Sequence, residues 1–233
     1  MKSLAAALTA MLVALPLPVS AQDNPVVVEL FTSQGCSSCP PADALLKRIS
    51  KRDDVIALAL HVDYWDYIGW KDEYADPAHT RRQKAYAHVA SRKMIYTPQM
   101  IVNGQDDLVG AKAIELVDLI MSHKGQPDQA RVTARRDGRN LKISLRPVAD
   151  ALKGPFDIHL VQYDPLRKAH ITRGENAGRD LNYVNVVDSW TVVGQWDGTG
   201  PYEVSATLGG DLPAVVLVQS AGHGPMVAAS RAE

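Results

Sequence analysis

The sequence predicts an α/β domain followed by an all-β C-terminal domain, an antiparallel sandwich or a barrel-like unit. Three observations predict it. Two apolar runs, residues 25–31 and 55–61, flank a segment of helical composition at 42–50, the pattern of a parallel βαβ unit. A polar linker, Lys124-Gly125-Gln126-Pro127-Asp128, then marks a change of texture. Beyond it, short alternating segments recur between turn signals.

Residues 1–21 read as an export leader. Lys2 supplies the positive start, residues 4–15 the apolar stretch, and Val19-Ser20-Ala21 the small-residue cleavage pattern. The apolar stretch is shorter than the ~20 residues a membrane span needs, and Pro16 and Pro18 interrupt it, so no span is expected after cleavage. The predicted domains are 22–124 and 129–233, and the mature chain of about 210 residues suits two modest domains. The expected destination is the periplasm or the exterior, where disulfides persist. Hydrophobic residues make up 46% and charged residues 22%, an ordinary globular balance. A net charge of -1 gives no global field to attract nucleic acid, so that partner is not expected.

Each element has its signal. After the first strand come a turn at 32–35 and then Cys36-Ser37-Ser38-Cys39-Pro40-Pro41, whose prolines suit a first helical turn. Asp76-Pro77 starts a second helix, running to about Ser91, with Asp as cap. Thr97-Pro98 opens a strand at 99–102 that ends at the Asn103-Gly104 turn. A hairpin strand around 108–110 and an amphipathic helix at 111–123, with Ile114, Leu116, Val117 and Ile120 apolar, close the domain. In the second domain, strands at 131–135 and 141–145 flank a turn at 137–140. Further strands are expected at 156–163, 184–193, 202–208 and 214–219.

The chemistry centres on the two cysteines of the chain. Cysteines that staple a domain lie far apart in sequence, so the Cys-x-x-Cys spacing suggests reaction instead. At a strand–helix junction, Cys36 would sit at the helix N-terminus, where free N–H groups and the dipole favour a thiolate. Cys39, one turn in, would resolve a mixed disulfide. Such exchange requires sulfurs that a partner can reach. A structural zinc site lacks a second close ligand pair. A purely structural disulfide closing so small a ring contributes only about 2 kcal/mol. Cu(I) held by Cys36 and Cys39, with His61, is a rival, because soft ligands suit that ion. A non-enzymatic binding or scaffold role for the β domain also stays open.

Other residues carry weaker signals. His61 and Asp63 end the second strand, on the edge where ligands gather in open α/β sheets, although a structural histidine is the commoner outcome. Tyr64, Trp65, Tyr67, Trp70 and Tyr74 either wall the dithiol, with Trp65 touching substrate, or fold as a small core; the burial of aromatic area favours the core. The polar, Gly-rich segment 173–179 is a long turn or a ligand loop, and it lacks the Lys-Ser or Lys-Thr of a phosphate loop. Arg131, Arg135, Arg136 and Arg139 read as a solvated hairpin face.

The segment Val28-Glu29-Leu30-Phe31-Thr32-Ser33-Gln34-Gly35-Cys36-Ser37-Ser38-Cys39-Pro40 resembles the active-site segment of thioredoxin-like proteins. That likeness covers about residues 25–123. With His61-Val62-Asp63-Tyr64-Trp65-Asp66 and Arg173-Gly174-Glu175-Asn176, the chain also resembles an uncharacterised family of exported bacterial thioredoxin-like proteins, as far as its C-terminus. The resemblance implies a thiol–disulfide oxidoreductase with no cofactor beyond the Cys36–Cys39 pair. Its substrate would be an exported protein or a small disulfide or thiol, and its electron donor is not indicated. Cys36 would attack and Cys39 resolve. Pro98 would be a cis-proline beside the dithiol, leaving the Thr97 backbone to pair with extended substrate. Glu29 would relay a proton to Cys39; read from the residues alone, it is equally a strand-end carboxylate paired with a base. Ser37-Ser38 matches neither the Gly-Pro of thioredoxin nor the Pro-His of the strong periplasmic oxidant, so the direction of electron flow is not set. Gly35 lengthens the turn before Cys36 by one residue.

Overall fold

The computed structural model describes residues 24–148 and 152–233, so the leader read at 1–21 lies outside the described residues. The first strand β1 (Val26–Thr32), helix α1 (Pro40–Ile49) and strand β2 (Val55–His61) form the expected parallel unit, with Val26 against Val55 and Thr32 against His61. Strand β3 (Gln99–Val102) runs antiparallel to β1, and β4 (Asp106–Val109) returns beside it. The turn between them uses Asn103 and Gly104 at φ 46° and 68°, the left-handed region that this residue pair tolerates. Helix α2 (Pro77–Val89) is capped by Asp76, whose carboxylate accepts the Ala78 N–H. Helix α3 (Ala113–Lys124) buries Leu116 and Ile120 and leaves Ile114 and Val117 exposed.

The expected succession of an α/β thioredoxin-like domain and an all-β domain does not form. Of the described residues, 43% are strand and 18% helix. Past the linker come β5 (Ala130–Asp137), β6 (Asn140–Pro147), β7 (Phe156–His170), β8 (Asp180–Trp196), β9 (Tyr202–Thr207), β10 (Ala214–Ser220) and β11 (Met226–Arg231). Strand β8 joins β2 in parallel at Val186 and Ala59. This makes one eight-stranded mixed sheet, in the order β11-β10-β7-β8-β2-β1-β3-β4, drawn from both halves of the chain. Strands β5, β6 and β9 form a separate three-stranded sheet.

The physical reason lies in β1 and β2, which are apolar on both faces. Val26, Val28 and Leu30 pack with Leu45 and Leu46 of α1 and with Leu116 and Ile120 of α3. The opposite face, with Val27, Phe31, Ile56, Leu58 and Leu60, needs a second cover. C-terminal strands supply it through Val161, Val215, Leu217 and Ala229. The other side of β10, with Ala214, Val216 and Val218, packs on Val132, Leu141 and Ile143 of the small sheet.

A buried ion pair joins the halves. The Arg82 guanidinium donates to both Glu29 oxygens, at 2.5 and 3.0 Å, and to Gln219 Oε1 at 3.0 Å. It also lies 3.9 Å from the centre of the Trp190 ring. Among the described residues, no helix is long and apolar enough to cross a membrane.

Candidate functional site

Cys36 and Cys39 are joined as a disulfide at the C-terminal end of β1. Cys39 is the N-cap residue of α1, and its carbonyl accepts the N–H groups of Ala42 at 2.8 Å and Asp43 at 3.1 Å. Cys36 therefore lies one turn upstream of the helix, rather than at its first residue, and Cys39 caps the helix rather than lying a turn inside it. Pro40 and Pro41 have no N–H to offer. The helix thus supplies a thiolate with its dipole more than with free donors. The donor at hand is the Ser38 hydroxyl, 3.4 Å from Cys36 Sγ.

Beneath Cys39 lies a set of buried polar groups. Asp43, one turn on along the same helix face, is buried in the core. Burial pushes its carboxyl up to about 7, against the pull of His61 and of the nearby Thr32 hydroxyl. His61 Nδ1 meets Asp72 Oδ2 at 2.7 Å, with both side chains fully buried. Burial opposes the charge on Asp72. His61 and the backbone N–H groups of Gln34 and Tyr74 outweigh it and hold the carboxyl below its usual value. Among the described residues, His61 Nε2, both Asp43 carboxyl oxygens, Thr32 Oγ1 and Tyr183 OH find no hydrogen-bond partner. Buried polar groups are ordinarily paired, so this cluster has room to accept a water or an added hydrogen bond.

The rim comes from two further segments. Trp65 Nε1 donates to Thr97 Oγ1 at 2.7 Å, and Tyr67 stacks on Trp65 with 81% of its surface exposed. The Thr97–Pro98 peptide bond is cis. The β3–β1 register pairs Gln99 with Phe31, so it carries Pro98 alongside Thr32. The turn 173–179 packs against the cysteine loop. Asn176 Nδ2 donates to the carbonyls of Gln34 at 2.9 Å and Cys36 at 3.0 Å, and Arg179 holds the Asn176 oxygen at 2.8 Å. Glu175 Oε2 accepts the Ser37 N–H at 3.3 Å.

Residues 27–219 match the family described as protein of unknown function (DUF1223). The chain belongs to the DUF1223 family. An X-ray crystal structure of an Agrobacterium tumefaciens protein is similar, at 32% identity and a TM-score of 0.77, over 91% of this chain and 95% of that one. HBP35 of Porphyromonas gingivalis is 17% identical with a TM-score of 0.64, over 89% of this chain and 74% of that one, a likeness of fold alone. No curated protein matches the chain.

In this DUF1223 protein the residues singled out in sequence divide into three groups. Cys36, Cys39, Thr97, Pro98 and Trp65 lie around the end of β1. Glu29 does not join them. It faces away from α1, and both its oxygens are taken by Arg82 and by Tyr86 OH at 2.6 Å. His61 is near α1 but is committed to Asp72 through Nδ1. Among the described residues, no three His, Cys, Asp or Glu side chains are grouped to hold a metal ion. Of the aromatic loop, Trp70 and Tyr74 pack on the core and Tyr67 stays outside. Sulfur access also departs from expectation. With the disulfide closed, Cys36 is 1% exposed and Cys39 0%, while Ser37 and Ser38 face solvent. Asn176 stood out in the sequence only as part of the 173–179 segment, and sequence reasoning missed Asp43 and Asp72. Their only signals were an acid one turn after a cysteine and a carboxylate inside an aromatic loop.

Gly35 has a specific place here. A Cβ on it would lie 3.1 Å from the Trp65 Cβ and 3.3 Å from Ile68 Cδ1. The extra residue of the turn lets the aromatic loop close onto the disulfide.

Proposed function

We propose that this protein exchanges thiols and disulfides through Cys36 and Cys39, on an exported protein or small disulfide. The observation that carries this is the single closed Cys-x-x-Cys pair, seated at the start of α1 above a buried acid. The local strand–turn–Cys-x-x-Cys–helix segment is also where the thioredoxin-like resemblance is concentrated. The leader read at 1–21 would take the protein to the periplasm or the exterior.

In the reducing direction, the Cys36 thiolate attacks one sulfur of the substrate disulfide. A Cys36–substrate bond forms, and the other substrate sulfur leaves as a thiolate. Cys39 then loses its proton and attacks Cys36 Sγ, closing the pair and expelling the second substrate thiolate. The substrate gains two electrons and the pair loses two. The oxidising direction is the reverse. Asp43 is the proton acceptor for Cys39, because an acid whose pKa lies near neutrality can both take and return a proton. The Ser38 hydroxyl supports the Cys36 thiolate, and the Trp65–Thr97 pair fixes the edge on which an extended substrate lies. Both sulfurs are covered in the closed pair, so attack on it requires the loops packed around residues 34–38 to move; the 173–179 turn is one of them, holding the Gln34 and Cys36 carbonyls through Asn176.

Trapping tests this directly. Cys39→Ser protein incubated with a small aromatic disulfide should accumulate a mixed disulfide at Cys36, readable by mass. Native protein with the pair first reduced should release two equivalents of thiol per disulfide consumed, and end with Cys36–Cys39 closed. Absence of both, across reducing and oxidising glutathione buffers, rules the reading out.

A further inference from the structure

Resting on the exchange reading above, we propose that the outer face of α2 and the segment after it form an electropositive groove that takes the acidic flank of a disulfide-bearing polypeptide. Residues 77–98 carry five Lys or Arg and no Asp or Glu, in a chain whose net charge is -1. Arg82 is turned inward onto Glu29. The others point out. Arg81, Lys84 and His88 recur at helical spacing along one exposed face, and Arg92 and Lys93 continue it beyond the helix end. Asp107 pairs with Arg92. Among the described residues, no carboxylate forms an ion pair with Arg81, Lys84 or Lys93.

The face holds a shallow, open depression that is partly apolar. This depression, of about 470 Å³, lies between α2 and the following segment and is lined by Lys84, Ala87, His88, Lys93, Met94 and Ile95, with Arg92, held by Asp107, at its edge. Met94 is 73% exposed within it, although a large apolar side chain ordinarily buries such area. The chain that borders the groove continues directly into Thr97 and Pro98. Gln83 Nε2 donates to the Tyr96 carbonyl at 2.7 Å, tying α2 to the segment that ends in Thr97 and Pro98, beside the end of β1. A polypeptide crossing Thr97 in extended form therefore places its neighbouring residues among these cations. Carboxylates there gain charge complementarity, and an apolar side chain between them can cover Met94. Complementary fields of this kind act chiefly on the rate of encounter.

The test uses three peptides of equal length, each carrying one mixed disulfide: glutamate-rich, serine-rich and lysine-rich. At low ionic strength the reduced protein should react with the glutamate-rich peptide about 10-fold or more faster than with the lysine-rich one. The advantage should collapse in ~1 M NaCl, where screening acts within about 3 Å. Lys84→Glu/Lys93→Glu should abolish it without changing the rate on the serine-rich peptide. Equal rates on all three peptides, or a preference that survives the double substitution, overturn the proposal. If no peptide reacts, the exchange reading fails and a second measurement decides the groove. Fluorescence anisotropy of a cysteine-free glutamate-rich peptide on Cys36→Ser/Cys39→Ser protein should show binding that salt weakens. No such binding, or tighter binding to phosphatidylserine vesicles than to the peptide, overturns the groove as a polypeptide site.

Discussion

Asp43→Asn should stabilise the protein in alkali and change it little in acid. Asp43 is buried in the core, and burial raises its carboxyl from 3.8 to about 7. A folded-state value above the unfolded one means that the folded protein binds the proton more tightly. The associated stability is complete below pH 3.8 and is lost as pH rises through about 7. A displacement of about three pH units, at 1.36 kcal/mol each, makes the ionised form cost about 4 kcal/mol by pH 8. Asparagine carries no such charge. Urea unfolding of parent and variant, both with the disulfide closed, reads the difference at pH 4 and pH 8. The advantage of the variant should grow by about 4 kcal/mol between the two. An advantage equal at both pH values would refute the idea of a destabilising buried acid. An acid kept at such a cost is expected where function needs it. The same variant should accordingly slow resolution of the mixed disulfide.

Three further outcomes are expected. Glu29→Gln leaves the Arg82 charge buried against a neutral partner, so it should cost about 3–5 kcal/mol in urea unfolding while leaving the pH profile of exchange in place. A displaced profile would return Glu29 to a proton-relay role. Asn176→Ala strands the Gln34 and Cys36 carbonyls at a cost of about 1–3 kcal/mol, and reduced Cys36 should then be alkylated faster by iodoacetamide; an unchanged rate would show that the 173–179 turn does not guard the sulfur. Ser38→Ala removes the hydroxyl donor and should slow the same alkylation about 10-fold at neutral pH, with no change expected if the hydroxyl points elsewhere once the pair is reduced.

The sequence-legible part of the fold is the part with unbroken local signals. The runs at 25–31 and 55–61 declare buried strands, and Asp76-Pro77 and Asn103-Gly104 declare a helix start and a turn through backbone chemistry of their own. The union of the two halves was not legible. Only the first half of β7 and scattered positions of β8 are apolar and buried. Arg167, Lys168 and His170 on one, with Asp180 and Asn182 on the other, carry the hairpin onward through polar residues. The choice of β2 as neighbour of β8 shows as a single aligned pair, Ala59 and Val186, which no alternation pattern encodes. Strand β11 is short and rich in alanine, and it follows a Gly-His-Gly-Pro turn, so nothing in its composition announced a strand.

The candidate site divides in the same way. The Cys-x-x-Cys pair is a contiguous motif and stands out. The residues around it arrive from distant positions. Asp43 looks like an ordinary first-turn acid, suited to the helix dipole, and only burial reveals its cost. Arg82 is one of two adjacent arginines, and only the fold says which turns inward to Glu29. Asn176 lies 140 residues from the Cys36 carbonyl it holds.

The most direct measurement is the equilibrium reduction potential of Cys36–Cys39 in the folded native protein, read by thiol alkylation across glutathione and dithiothreitol buffers. A pair that exchanges with partners should open reversibly between about −270 and −120 mV, the span from a reducing to an oxidising dithiol protein. A pair that stays closed below about −300 mV, or opens only when the protein unfolds, behaves as a structural crosslink and contradicts a role in exchange.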